Sequence, residues 1–269
     1  MIRPDLDTLG EQIRHLTQQE LGVRINGCAR QLKDDGSLLT ELDLALNQRI
    51  HAMLDGLSAD IAFLSEEMPL AEQQITVQSG QAYWCLDPLD GTSNFVGGIP
   101  FFCTSLALVD NGYPQLAIVY DPVRDELFSA GKGQGAWLNG QPLSAHPVDL
   151  SITNCIGLID LKRLPRRLLM ALIEQRPFSS QRNFGACALE WSWLAAGRGH
   201  LLLHGGQKLW DHAAGFLILM EAGGQAQTLE GQPVFNSTLD PRSVVAALDP
   251  AIFDQWRTWV SRFTSPGPR

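Results

Sequence analysis

Apolar positions near the start of the chain recur every three or four residues. Leu6, Leu9, Ile13 and Leu16 lie between Pro4 and Gly22, a spacing that predicts an amphipathic helix. Asp5 and Asp7 supply the acid favoured at a helix start. The pattern returns with Thr40-Glu41-Leu42-Asp43 and runs through Leu46, Ile50, Met53 and Leu57, with Thr40 as the cap. Residues 60–66 form a short apolar run ending in two acids and read as a strand. Between 83 and 130 the texture turns β-like at 83–86, 101–109, 115–120 and 126–129. Turn signals at Asp110-Asn111-Gly112 and Asp121-Pro122 suggest an antiparallel meander. Gly131-Lys132-Gly133-Gln134-Gly135 follows as a turn; as a phosphate loop it lacks the Gly-Lys-Ser/Thr ending. The second half alternates: strand 155–159, helices 164–175 and 186–196, strand 201–204, then helix 211–221 closed by Gly223-Gly224. A strand at 244–247 and a helix at 250–263, with Phe253, Trp256, Val260 and Phe263 on one face, complete the pattern, and the tail is frayed. There is no repeat and no linker-like run. One α/β (α+β layered) domain is expected over 1–269, with halves of about 1–147 and 148–264 sharing a cleft.

With 269 residues, 45% of them hydrophobic, the chain can bury a core and a cleft without disulfide staples. The net charge of −9 makes it a poor general ligand for nucleic acid or an anionic membrane. No apolar run approaches the roughly 20 residues of a bilayer span. The N-terminus lacks a signal-peptide core, so a cytoplasmic protein is expected. Cys28, Cys85, Cys103, Cys155 and Cys187 are odd in number and widely spaced, which reads as free buried thiols in a reducing compartment.

The chemistry concentrates in Asp87-Pro88-Leu89-Asp90-Gly91-Thr92-Ser93, directly after the apolar run Tyr83-Trp84-Cys85-Leu86. Pro88 fixes one backbone torsion and Gly91 permits a sharp turn, so both carboxylates aim at one spot. Carboxylates converging away from water either take up protons or bind a cation. An all-oxygen set favours Mg²⁺, Mn²⁺ or Ca²⁺ over zinc. The alternative is a capped turn facing water. Glu66-Glu67 alone reads as solvated surface, and Asp211 alone as the N-cap of its helix.

Together these segments resemble the inositol monophosphatase family. Asp87-Pro88-Leu89-Asp90-Gly91-Thr92-Ser93-Asn94-Phe95 is similar to its first signature. Trp210-Asp211-His212-Ala213-Ala214-Gly215, continuing to Glu221-Ala222-Gly223-Gly224, is similar to its second. Ser65-Glu66-Glu67 resembles the family's upstream Glu-Glu element, and Gly133-Gln134-Gly135-Ala136-Trp137-Leu138-Asn139-Gly140 its glycine-rich hairpin. Order and spacing agree from about residue 5 to residue 263. The resemblance implies an αβαβα sandwich of the sugar-phosphatase type, usually a homodimer, and Mg²⁺-dependent, lithium-sensitive hydrolysis of a small phosphate monoester. It implies two or three Mg²⁺ ions, with Mn²⁺ as a substitute. Glu66, Asp87 and the Leu89 carbonyl would hold one, and Asp87, Asp90 and Asp211 a second. Glu66 would also reach a third, Thr92 would orient the attacking water, and the Gly91 and Thr92 amides would bind phosphate. Thr40 and Asp43 resemble the family's Thr-x-x-Asp element, where the acid supports that water or a bound ion. The other reading of Asp43 is a capping-box acid. Lys33 could approach the same ions or be solvated surface.

For the leaving alcohol the resemblance points to Ser93, Gly185-Ala186 and the stretch before Asp211, with Arg182 supporting the pocket or the dimer interface. Seven positions before Asp211, inositol-hydrolysing members often carry Glu; here His204 stands there. Imidazole offers one donor and one acceptor where a carboxylate accepts twice, which puts inositol phosphate specificity in question. A structural role is the other reading of His204, and the expected one for His212, Trp191 and Trp193. Gly91-Thr92-Ser93-Asn94-Phe95 ranks inositol-phosphate-like chemistry first. Histidinol phosphate or another sugar phosphate follows, then 3'(2'),5'-bisphosphate nucleotides. A non-catalytic binding member is the competing class.

Overall fold

The computed structural model describes residues 5–24, 30–32, 38–145 and 150–264. Cys28, Lys33, His146 and the tail 265–269 lie outside the described residues. Helix α1 (Leu6–Arg24) and helix α2 (Glu41–Leu57) flank a short antiparallel pair, β1 (Arg30–Leu32) and β2 (Leu38–Thr40). Thr40 caps α2: its hydroxyl accepts from the Asp43 amide, and the Asp43 carboxylate accepts from the Thr40 amide at 2.8 Å. That reciprocal pair is the expected capping box.

A seven-stranded sheet follows in chain order: β3 (Ala62–Ser65), β4 (Tyr83–Asp90), β5 (Cys103–Asp110), β6 (Tyr113–Asp121), β7 (Glu126–Gly131), β8 (Gly135–Leu138) and β9 (Gln141–Leu143). Helix α3 (Leu70–Gln78) carries the chain from β3 to a parallel β4, and the other pairs are antiparallel. Helix α4 (Thr92–Gly97) joins β4 to β5. Asn111 and Gly112 both take positive φ (51° and 68°), the two-residue turn that matches strand twist in a hairpin. The second sheet has the order β11 (Ser180–Arg182), β10 (Ile156–Ile159), β12 (Leu201–Gln207), β14 (Arg242–Ala247), β13 (Gln225–Gln227). Its parallel centre, β11-β10-β12, is flanked by antiparallel β14.

Strand alternation sorts these residues into layers. Trp84 and Leu86 of β4 pack with Leu46 and Ile50 against α1 and α2. Tyr83 and Cys85 face the opposite way, onto helices α6 (Cys187–Ala195) and α7 (Leu209–Glu221). Leu209, Ala213 and Leu217 of α7 are buried together with Trp210, Phe216 and Ile218, so apolar residues surround the helix and it must sit between two sheets. Leu202 and Val244 close that central layer from the second sheet. Leu203 and Val245 face outward, onto α5 (Arg166–Gln175) and α8 (Pro250–Thr264) through Leu172 and Trp256. The result is the five-layer αβαβα sandwich.

Glu221, at the end of α7, settles the glycine-rich turn. Its carboxylate oxygens accept from the Gly133 amide at 2.8 Å and the Gly135 amide at 2.9 Å. The turn is a β7–β8 hairpin pinned by a carboxylate, and its amides are engaged within the chain. Cys85, Cys103, Cys155 and Cys187 are free thiols. Among the described residues no helix is long and apolar enough to cross a membrane.

Candidate active site

The acids meet because two strand ends and two helix starts converge. β3 and β4 run parallel with Ser65 beside Leu86, and the Glu66 amide donates to the Leu86 carbonyl at 3.2 Å. Glu66 therefore stands next to Asp87 at the carboxyl end of the pair. β4 extends past the expected 83–86 to Asp90, because Asp87 still pairs with Ser105 and Asp90 with Cys103. Between them the register slips. Pro88 has no amide to donate, while its carbonyl accepts from the Thr104 hydroxyl at 2.9 Å. The Leu89 amide donates to Asp87 Oδ1 at 3.1 Å and stiffens the bend. Gly91 then turns the chain at φ 93°, and a Cβ there would lie 3.0 Å from the Ala186 Cβ and 3.1 Å from the Phe101 carbonyl.

The second half delivers the remaining groups. The Trp210 carbonyl accepts from the Ser105 hydroxyl at 3.4 Å, which sets the next residue, Asp211, over the cross-strand partner of Asp87. Asp211 is not the N-cap that its sequence position suggests. It is the third residue of α7, and its carboxylate reaches back to the Lys208 amide at 2.8 Å. Capping extends the helix start by two residues to Leu209 and leaves a second carboxylate oxygen for the site. Asp90 Oδ2 accepts from the Ala188 amide at 2.6 Å, at the start of α6.

These carboxylates disfavour one another. Burial raises the Asp87 carboxyl well above its ordinary range, and the charges of Glu66, Asp90, Asp211 and Asp43 add to it. Asp90 is raised by burial and by Asp211, against the pull of the Ala188 and Cys187 amides. Asp211 is pushed up to about 6 by burial and Glu66, against the Lys208 amide, His204 and Arg163. An all-oxygen, mutually repelling, buried set fits a hard divalent cation in its chemistry. Among the described residues no three His, Cys, Asp or Glu side chains stand as a ready-made metal cage. Asp87, Asp90 and Asp211 each direct an oxygen to a backbone amide instead.

Asp43 combines its two sequence readings. One oxygen completes the capping box with Thr40, whose hydroxyl also reaches it, and the other accepts from the Thr92 hydroxyl at 3.1 Å. The Leu89 carbonyl lies 3.0 Å from the same hydroxyl. One proton shared between these two acceptors leaves the Thr92 lone pairs turned elsewhere, able to receive a hydrogen bond from water.

On the far wall, Asn94 donates to the Phe101 carbonyl at 2.7 Å and the Phe184 carbonyl at 2.6 Å, locking α4 to the loop of Gly185 and Ala186. Gly185 takes φ 79° and Ala186 is buried against Gly91. Ser93 is exposed on α4, and Arg182 is exposed, donating to Ser180 and the Gln181 carbonyl on its own strand. His204 is buried within β12. His212 is fully buried and hydrogen-bonded to the Lys208 carbonyl at 2.7 Å, and burial lowers its pKa to about 4; its role is structural. Trp191 is core, donating to Gln207, and Trp193 packs on Phe101 and Phe184. Two acids escaped the sequence reading. Glu190 is buried in α6, accepts from the Phe184 and Gly185 amides at 2.6 and 3.2 Å, and is pushed up to about 7 by burial. Its signal was an acid inside an otherwise apolar helix. Asp160, at the end of β10, had no local signal.

Residues 6–259 match the model of the inositol monophosphatase family. Inositol monophosphatase 1 of Solanum lycopersicum is 34% identical over 71% of this chain and 72% of its own length. A protein named Nus factor SuhB from Xylella fastidiosa is 38% identical over 55% of each chain, so the match spans about half of that relative. Among solved structures, the extragenic suppressor protein suhB of Bartonella henselae superposes with a TM-score of 0.79 at 27% identity, covering 97% of this chain and 98% of the other. The Thermotoga maritima IMPase TM1415 gives a TM-score of 0.80 at 26% identity, covering 96% and 98%.

Proposed function

We propose that this chain, which belongs to the inositol monophosphatase family, is a Mg²⁺-dependent phosphate monoesterase acting on a small polyol or sugar phosphate. The observation that carries the reading is the convergence of Glu66, Asp87, Asp90 and Asp211, in which burial and neighbouring carboxylate charge raise the pKa of Asp87, Asp90 and Asp211. Glu66, Asp87 and the Leu89 carbonyl would hold one Mg²⁺, Asp87, Asp90 and Asp211 a second, and Glu66 a weaker third, with Mn²⁺ as a substitute. Bound there, divalent cations would neutralise phosphate charge, lower the pKa of water and stabilise the leaving oxygen.

The chain's own groups do the rest. Thr92, steered by Asp43, accepts a hydrogen bond from the attacking water and sets its direction. The Gly91 and Thr92 amides, at the turn fixed by φ 93°, donate to phosphate oxygens. Asp90, held by the Ala188 amide, ties the two halves together across the cleft, and the Lys208 amide orients Asp211 at the start of α7. Among the described residues no Ser or Cys lies beside a His base as an evident nucleophile, which favours direct in-line attack by water over a phosphoenzyme. The alcohol side is formed by Ser93, Gly185, Ala186, His204 and Asp211. The assembly expected is a homodimer in the cytoplasm.

The test is phosphate release from inositol phosphates, glycerol phosphates, histidinol phosphate and nucleotide bisphosphates, with Mg²⁺ and then with EDTA. Hydrolysis of polyol phosphates that EDTA abolishes supports the reading. Preference for histidinol phosphate or a nucleotide bisphosphate moves the chain to a neighbouring activity of the same family. No turnover with any monoester supports a non-catalytic binding protein.

A further inference from the structure

We propose that Asp160, positioned by His204, is the residue that reads the hydroxyls of the leaving alcohol. This rests on the phosphatase reading. Asp160 follows the last residue of β10, and His204 lies within β12 just past the last residue paired with β10: Ile159 of β10 pairs with Leu203 of β12, and the Asp160 amide donates to the Leu203 carbonyl at 2.9 Å. The carboxyl ends of parallel strands are where open α/β sheets take their ligands.

The pair is built, not incidental. β12 bulges between His204 and Gln207 through Gly205 and Gly206. A Cβ on Gly205 would sit 2.4 Å from the Arg163 carbonyl carbon and 2.5 Å from the Lys162 carbonyl oxygen, so glycine lets the 160–163 loop close onto the bulge. Arg163 fastens it by donating to the Gly206 carbonyl at 2.7 Å. Inside the bulge, His204 Nδ1 accepts from the Gly206 amide at 3.0 Å. In neutral imidazole that places the proton on Nε2, which faces Asp160 Oδ2 at 3.5 Å. Asp160 Oδ1 accepts from the Lys162 amide at 2.6 Å. Each Asp160 oxygen thus has one orienting donor and spare lone-pair capacity.

This wall borders the reaction centre. β12 leads through Lys208 directly into α7, where Asp211 is the third residue, and Asp211 senses the charges of His204 and Arg163. The Cys187 thiol, one residue before the Ala188 amide that holds Asp90, senses both Asp211 and Asp160. His204 itself spends Nδ1 on the backbone and presents Nε2–H, so it cannot replace a carboxylate that accepts two hydroxyls. Asp160, one strand over, can. The strand beside His204 thus supplies the hydroxyl acceptor, and the ligand class is a phosphate monoester whose alcohol carries free hydroxyl donors.

The test compares wild type with Asp160→Ala, Asp160→Asn and His204→Leu. KM is read for polyol phosphates, and Ki for inorganic phosphate as a product inhibitor without hydroxyl-bearing carbon. Losing a charged acceptor raises KM for the polyol phosphate about 10- to 100-fold. The Ki for phosphate stays within about twofold, because the phosphate contacts are untouched. His204→Leu shifts KM the same way and adds little once Asp160 is gone, as expected for a positioning residue. Asn preserves shape and the Lys162 contact, so it gives the reading if the alanine variant does not fold. With wild-type turnover intact, unchanged KM, or KM and Ki rising together, overturns this assignment and leaves the phosphatase reading standing. No wild-type turnover removes the phosphatase reading, and this inference with it.

Discussion

Asp90 and Ala188 lie 98 residues apart in the chain and 2.6 Å apart in the fold, the carboxylate of one half accepting the amide of the other. The bond places an acid where two halves close, and it separates shape from chemistry. Asparagine at this position keeps an oxygen for the Ala188 amide and loses the charge. Asp90→Asn is therefore expected to keep its circular dichroism and melt close to wild type. A metal site supplies several kcal/mol of transition-state stabilisation, and each 1.36 kcal/mol is tenfold in rate. Turnover should fall by about a thousandfold. Near-normal turnover would end the assignment.

Thr92 and Asp43 should act as one unit. Thr92→Val removes the hydroxyl while keeping its shape, and loss of a group that positions a proton transfer costs about 10²- to 10⁴-fold in kcat. Thr92→Ser restores most of it. Because the Asp43 carboxylate accepts from that hydroxyl at 3.1 Å, adding Asp43→Asn to Thr92→Val should cost far less than the product of the single losses. Multiplicative losses in steady-state kinetics would show that the two residues work independently.

Gly91 is fixed by geometry on two counts. Its φ of 93° strains any L side chain, and a Cβ would press on the Ala186 Cβ at 3.0 Å and the Phe102 Cβ at 3.2 Å. The left-handed backbone alone costs about 1–2 kcal/mol. At roughly 2–4 °C per kcal/mol for a chain of this size, Gly91→Ala should lower Tm by about 2–8 °C. It should also weaken phosphate binding. An unshifted melt would mean that the turn relaxes at no cost.

The raised carboxyls set a pH dependence. Asp211 titrates near 6 in the fold against an ordinary value of 3.8, because burial and Glu66 oppose its charge. Asp87 and Asp90 are raised as well. A raised acid binds more protons folded than unfolded, so its contribution to stability is greatest below the unfolded pKa and falls as pH rises through the folded pKa. The EDTA-treated protein should lose Tm as pH climbs from about 4 through 6 and beyond. A divalent cation binds the ionised form, so Mg²⁺ should restore Tm above pH 6 and do little at pH 4. At a hundredfold excess over Kd the gain is about 2.7 kcal/mol. A melting curve with the same Mg²⁺ response at both pH values would contradict this.

What the sequence made legible were features with local period or local chemistry. α1, α2 and α8 carry apolar stripes, and the Asp87–Asp90 bend follows a fully buried strand. α3 was not legible because its apolar residues do not form a buried stripe: Leu70 and Ile75 are exposed, and its one buried residue is Gln73. β11 reads Ser-Gln-Arg and owes its strand to edge pairing with β10. Asp211 looked like a cap and is the third helical residue, a difference set by where Lys208 leaves β12. The Asp160–His204 pair joins residues 44 positions apart through a sheet register, and only strand pairing could reveal it.

The most direct test of the central claim is the anomalous scattering of Mn²⁺ in crystals of this protein soaked with manganese and phosphate. The account predicts density shared among Asp87, Asp90 and Asp211, a second position reached by Glu66 and the Leu89 carbonyl, and phosphate at the Gly91 and Thr92 amides. Crystals with folded chains and full manganese exposure that show no ion among these carboxylates would contradict it.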